Sequence, residues 1–139
     1  MTAWKILLAE DDTDDQKLFC DFLAHRTDIV LMPVAENGVV LLEELEKIAS
    51  DELPHIIILD QNMPKSNGLQ TLAALKEDSR FAHLPVIIYS TYTDDQLIQH
   101  SMASGAALVT AKPVSKKGYE QMIDTVLKVV TSRNPFSDQ

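Results

Sequence analysis

The chain is short of several things, and each shortage excludes something. It has a single cysteine, Cys20, so neither an internal disulfide framework nor a cysteine-rich zinc site can be built. Cys20 lies in the helical pattern Lys17-Leu18-Phe19-Cys20-Asp21-Phe22-Leu23 and reads as a small buried or half-buried hydrophobe. Glycine and proline are few, at 4 and 6 of 139 residues, which argues against low-complexity or disordered composition. No apolar run approaches the roughly 20 residues that a membrane-spanning helix needs. The start, Met1-Thr2-Ala3-Trp4-Lys5, lacks the shape of a signal peptide, and the compartment expected is the cytoplasm. Basic charge is also scarce. Twelve Lys and Arg stand against 21 Asp and Glu, giving −9, and no basic run exceeds Lys116-Lys117. Neither nucleic acid nor an anionic membrane is an expected partner.

What remains is the composition of one ordinary globular domain, with 45% hydrophobic residues and enough length to bury roughly two-thirds of its unfolded surface. Short continuous apolar runs recur along it: Ile6–Ala9, Ile29–Val34 (broken by Pro33), Ile56–Leu59, Val86–Tyr89 and the weaker Ala106–Val109. Continuous rather than alternating runs suit strands covered on both faces. Helical spacing separates them, over Asp14–His25, Gly38–Ala49, Leu69–Lys76 and Asp95–Ala103. It is clearest where Tyr119, Met122, Ile123, Val126, Leu127 and Val130 recur at three- and four-residue steps. Glu36-Asn37-Gly38, Pro64 to Gly68 and Ser104-Gly105 mark loops. Strand and helix alternating five times predict a doubly wound α/β domain with a parallel five-stranded sheet, over residues 1–131, with 132–139 as a short polar tail.

In such a sheet ligands gather beyond the carboxyl ends of the strands. Those ends carry Glu10-Asp11-Asp12, Asp60, Ser90-Thr91 and Lys112-Pro113. Each has a plain structural alternative. Asp12 or Thr13 can cap the first helix, with Asp14 and Asp15 favoured by its dipole; Asp60 or Ser90 can cap a helix; Lys112 can be a solvated lysine. Together they make a chemical set. Carboxylates with water hold a hard divalent cation, a carboxylate can attack phosphorus, and a lysine with the cation offsets phosphoryl charge. His25, His55, His83 and His100 lie away from these strand ends and read as structural or surface residues.

With these residues in view, the chain resembles the receiver domain of two-component response regulators over about residues 4–131. The resemblance rests on Ile6 to Asp12, on Ile57 to Pro64 with Gly68, on Pro85 to Ser90, and on Gly105 through Lys112-Pro113. It implies a flavodoxin-like (βα)5 sandwich with strand order 2-1-3-4-5. It implies Asp60 as phosphoacceptor and Mg²⁺, with Mn²⁺ as an alternative, held by Glu10, Asp11, Asp60 and the backbone carbonyl of Asn62. Ser90 is then the switch hydroxyl, Lys112 the phosphoryl partner, and the Lys112–Pro113 bond cis. The donor implied is a sensor histidine kinase or a histidine phosphotransfer protein. Output is implied to run through the surface of helix four, strand five and helix five, to a downstream protein or a second copy, as in stand-alone receivers, with no turnover enzyme activity.

The family's aromatic three residues before the lysine is absent here, where Val109 stands; Tyr89 or Tyr92 could replace it. Thr91 fills a position where the family prefers a smaller residue, and Asn62 and Tyr92 fill two positions that tune autodephosphorylation. Other readings are a phosphorylation-independent receiver serving as an interaction module and a flavodoxin-type electron carrier. Glu10-Asp11-Asp12 argues against the latter because it would repel a flavin phosphate. A haloacid-dehalogenase-type phosphatase would need an Asp-x-Asp motif after strand one, which is missing. The acidic excess is local. Set aside Glu10, Asp11, Asp12, Asp14, Asp15, Asp60, Asp94 and Asp95, and thirteen acids remain against twelve bases.

Overall fold

In a computed structural model, which describes residues 3–133, five strands and five α-helices alternate. They are β1 (Trp4–Ala9), α1 (Thr13–Leu23), β2 (Ile29–Leu31), α2 (Gly38–Lys47), β3 (Ile56–Asp60), α3 (Gly68–Glu77), β4 (Val86–Ser90), α4 (Asp95–Ala103), β5 (Leu108–Ala111) and α5 (Lys116–Arg133). All pairings are parallel and the strand order is β2-β1-β3-β4-β5. The doubly wound fold expected from the alternation is thus the one found. Helix α5 runs two residues past the expected boundary at 131; residues 134–139 of the expected tail lie outside the described residues.

The period-two alternation of strand side chains splits the core in two. On one face Ile6, Leu8, Ile58, Ile87 and Tyr89 meet Phe19 and Leu23 of α1 and Tyr119, Ile123 and Val126 of α5. On the other, Leu7, Ala9, Ile57, Leu59 and Ile88 meet Leu41 and Leu45 of α2 and Leu72 and Leu75 of α3. Every residue of β3 is buried, as a central strand sandwiched by helices requires.

The expected strand limits shift at the two sheet edges. β2 stops at Leu31, because Pro33 has no N–H for a ladder; the chain rejoins the sheet only through an isolated bridge of Ala35 to Ala9. β5 lies two residues later than its apolar run suggests. It is an edge strand, only partly buried, so burial does not force a continuous apolar signature on it.

The helix starts bear out the local chemistry. Asp12 caps α1 by accepting from the Asp15 N–H, and Asn37 and Asp94 cap α2 and α4 in the same way. Asn67 and Gln70 form a reciprocal capping box at α3. Neither Asp60 nor Ser90 is a helix cap, and their side chains are left for other work. Cys20 is half-buried, and burial raises its thiol above the ordinary value.

Candidate functional site

Backbone hydrogen bonds tie the carboxyl ends of β3, β4 and β5 to one another, and that of β1 to the segment after β2. Gln61 N–H donates to Tyr89 O at 3.0 Å, Lys112 N–H to Ser90 O at 2.8 Å, and Glu10 N–H to Ala35 O at 2.9 Å. Four candidate side chains are therefore delivered to one crevice by the rigid sheet. Glu10 and Asp60 are almost fully buried at 0% and 2% exposure, while Asp11 stands exposed at the rim. One carboxylate oxygen from each of Glu10, Asp11 and Asp60 lies within 4.8 Å of the others. This donor set is hard, all-oxygen and anionic. It fits Mg²⁺ or Mn²⁺ and does not fit a soft metal.

Lys112 sits at the centre, its side chain 11% exposed. Its Nζ lies 2.8 Å from Glu10 Oε1, 2.9 Å from Asp15 Oδ2 and 3.2 Å from Asp60 Oδ2. It also lies over the ring of Tyr89, 5.2 Å from the centroid. Burial works against its charge, but Glu10, Asp15 and Asp60 outweigh this and hold the ammonium above its ordinary range. The solvated-lysine alternative is excluded by this packing. The Lys112–Pro113 bond is trans, not cis, and no cis bond occurs among the described residues. The trans form is the lower in energy by about 0.5–1 kcal/mol, and Lys112 reaches its three carboxylates from it.

Asp60 is the electrostatic focus. Its carboxyl is pushed up to about 7, first by burial, then by the hydrogen bond and charge of Glu10, with Lys112 and the Asn62 N–H pulling the other way. The Asn62 N–H donates to Asp60 Oδ1 at 3.2 Å, so the turn after β3 folds back onto the carboxylate. That turn is tight. A Cβ on Gly68 would meet Gln61 Oε1 at 2.9 Å and Asp60 O at 3.0 Å, and Gly68 N–H donates to Gln61 O. Only glycine lets α3 start this close to the strand end.

Ser90 is buried at the end of β4. Its hydroxyl donates to Tyr92 O at 2.9 Å and accepts from Tyr92 N–H at 3.3 Å, closing the loop on itself. Thr91 and Tyr92 are exposed, Tyr92 at 73%. Val109 packs with the α2/α3-side core, whereas Tyr89 belongs to the opposite face with Phe19 and Tyr119. Tyr89 therefore does not fill the place an aromatic at 109 would occupy, and Tyr92 points to solvent.

Two residues join the site in roles that the sequence reading did not assign to them. Asp15, read as a first-turn acid of α1, is a Lys112 partner. Tyr89 donates its hydroxyl to Glu10 Oε1 at 2.5 Å. Burial, then the charge of Glu10, raises its phenol well above the ordinary range, so it stays an O–H donor. A polar-tipped aromatic next to last in a buried strand was the available signal. None of the four histidines is among these partners; His25 pairs with Glu120 at 2.7 Å and His55 Nδ1 accepts from the Lys5 N–H at 2.8 Å.

Comparison with known proteins agrees with this geometry. Residues 6–124 match the family model described as the response regulator receiver domain. The chain is 31% identical over 121 residues to the probable C4-dicarboxylate response regulator DctR of Bacillus subtilis, covering 87% of this chain and 51% of that protein. It is 26% identical over 123 residues to chemotaxis protein CheY1 of Helicobacter pylori, covering 88% of this chain and 96% of that protein. The Mn(2+)-bound form of response regulator Rcp1 matches with a TM-score of 0.74 at 25% identity, covering 88% of this chain and 91% of the other. The chain thus spans about half of DctR and nearly all of CheY1.

Proposed function

The chain belongs to the response regulator receiver domain family, and from that membership we propose that Asp60 accepts a phosphoryl group from a phosphohistidine. The donor is a sensor histidine kinase or a histidine phosphotransfer protein. One observation carries the reading: one carboxylate oxygen from each of Glu10, Asp11 and Asp60 lies within 4.8 Å of the others, beside a mostly covered lysine that touches Asp60.

Glu10, Asp11, Asp60 and the carbonyl of Asn62 would hold Mg²⁺ or Mn²⁺, which when bound supplies positive charge to the phosphoryl oxygens. An Asp60 carboxylate oxygen attacks phosphorus in line. The new P–O bond forms as the P–N bond to the donor imidazole breaks, and the electron pair returns to the imidazole nitrogen. Lys112 stays charged throughout and neutralises part of the arriving roughly 1.5–2 negative charges. The product is an acyl phosphate on Asp60, and its hydrolysis returns the resting carboxylate. The protein acts as an acceptor and switch rather than a turnover enzyme.

Ser90 then has reason to leave its bonds to Tyr92 for the phosphoryl oxygens, and Thr91 and Tyr92 move with it. Pro113 fixes the backbone beside Lys112, and Val109 leaves the β5 side of this route without a large ring. The element set to respond is α4. Its one buried residue is Ser101, whose hydroxyl has no partner among the described residues, while Ile98 and Met102 stand exposed. A helix so weakly seated can be biased between two positions at small cost. The α4-β5-α5 face is accordingly the output surface, for a downstream protein or a second copy.

The test is incubation with Mg²⁺ and acetyl phosphate followed by intact mass. Gain of one phosphate on the wild type and none on Asp60→Asn is expected. Equal uptake by the variant would move the acceptor elsewhere. No uptake from acetyl phosphate and none from a phosphorylated histidine kinase would leave a phosphorylation-independent receiver.

A further inference from the structure

Tyr89 lies inside the site but has no part in the phosphoryl chemistry above. Its ring is fully buried and packs edge-on against Phe19, with 6.3 Å between centroids. Its hydroxyl donates to Glu10 Oε1. The same oxygen forms an ion pair with Lys112 Nζ at 2.8 Å, whereas Glu10 Oε2 accepts from the Asp12 N–H at 3.1 Å. A carboxylate oxygen offers about two lone-pair sites. Oε1 is therefore committed to the protein, and Oε2 keeps capacity for one more partner.

We propose that Tyr89 is a positioning residue for the cation site: its hydroxyl fixes Glu10 through Oε1 and reserves Oε2 for a divalent metal ion. The inference rests on the reading of Glu10, Asp11 and Asp60 as metal ligands and adds a residue that holds one of them. It also gives the second Oε1 donor a purpose. When Lys112 turns toward a phosphoryl group on Asp60, it withdraws from Glu10. Without Tyr89 that would leave a fully buried carboxylate oxygen unpaired, which is costly. With Tyr89 in place Glu10 stays oriented while Lys112 moves. The ring meanwhile keeps a face beside the ammonium, so one side chain supports both partners.

The decisive variant is Tyr89→Phe, which keeps the ring and its contacts and removes only the hydroxyl. Mn²⁺ affinity, measured by calorimetry on unphosphorylated protein, should fall about tenfold, in the range seen when a group orienting a metal ligand is removed. A purely structural role would lower the melting temperature of metal-free protein and leave Mn²⁺ affinity unchanged, and that result overturns the proposal. Wild type that binds no Mn²⁺ overturns the metal-site reading itself, and this inference with it, so the two failures are distinguishable. A second measurement does not depend on the folding of Tyr89→Phe. Mn²⁺ saturation of the wild type should perturb the tyrosine ultraviolet band, and Tyr92→Phe and Tyr119→Phe should each retain that signal. Metal binding without any tyrosine perturbation also overturns the proposal.

Discussion

Asp15 and Lys112 are 97 residues apart in the chain and meet at 2.9 Å. The contact ties the first turn of α1 to the loop after β5 and gives Lys112 a third carboxylate. It is a competing seat: an ammonium held by Asp15 is not wholly available to Asp60. Removing the charge with Asp15→Asn should free Lys112 and lessen repulsion of an incoming phosphoryl group. The pair is partly exposed, so the effect is modest, on the order of 0.5–1 kcal/mol in the barrier, or about two- to fivefold in rate. Initial rates of acetyl phosphate labelling, read by intact mass, should rise by that factor. An unchanged or slower rate would show that Asp15 aims the lysine instead of restraining it.

Asp60 makes the resting protein less stable than it could be. Its folded-state carboxyl lies at about 7 against roughly 3.9 when unfolded. Below about pH 4 both states are protonated and the group is neutral in the balance. As pH rises to about 7, the unfolded chain loses its proton while the folded one keeps it, so metal-free stability falls; above about 7 the penalty is constant. Asp60→Asn escapes this. In chelator, the variant should match the wild type near pH 4 and exceed it by up to about 4 kcal/mol at pH 8, a shift of many degrees in melting temperature. A gap that is the same at both pH values would remove ionisation of Asp60 as the cause.

Ser101 invites the converse experiment on the switch. A buried hydroxyl with no partner costs about 1–3 kcal/mol, so Ser101→Ala should stabilise the resting fold by about 1 kcal/mol in urea melts. The same change should deepen the resting seat of α4. Beryllofluoride, which mimics the phosphoryl group, should then be needed at higher concentration to shift the amide resonances of α4. Destabilisation by the alanine would mean that the hydroxyl has a partner, such as a buried water.

Much of this was legible in the sequence because burial writes its own pattern. Ile56 to Leu59 reads as a strand covered on both faces, because a continuous run of four aliphatics suits such a strand. The carboxylates that follow such runs had to meet at one end of a parallel sheet. Less legible were features set by three-dimensional proximity alone. Asp15 sits in a helix first turn where its charge already has an explanation, and nothing local shows that Lys112 lands beside it. Tyr89 reads from the sequence as a possible stand-in for the missing aromatic; its contact with Glu10 shows only in three dimensions. At β5 the edge position removed the very burial that makes strands readable.

Gly38 offers the sharpest packing test. It opens α2 at the point where that helix touches the loop between Asp60 and α3. A Cβ built there would lie 1.9 Å from Thr71 Oγ1 and 2.8 Å from the backbone oxygen of Ser66. Thr71 cannot simply turn away, because its hydroxyl is buried and engaged with Asn67 O at 2.8 Å and Ser66 Oγ at 2.9 Å. The backbone of the loop cannot yield either without moving Lys65, already held at a positive φ of 68°. Gly38→Ala should therefore cost about 1–3 kcal/mol or more, well beyond any gain from a better helix former. The strain should propagate along the loop to Asp60, so Mn²⁺ affinity should fall together with the urea midpoint. Ser66→Gly would test that route. It removes the Ser66 side chain, whose Cβ the new methyl would meet at 2.9 Å, and loosens the loop backbone. In the Gly38→Ala background it should recover part of both losses, whereas stability regained without metal affinity would disconnect the α2 contact from the site.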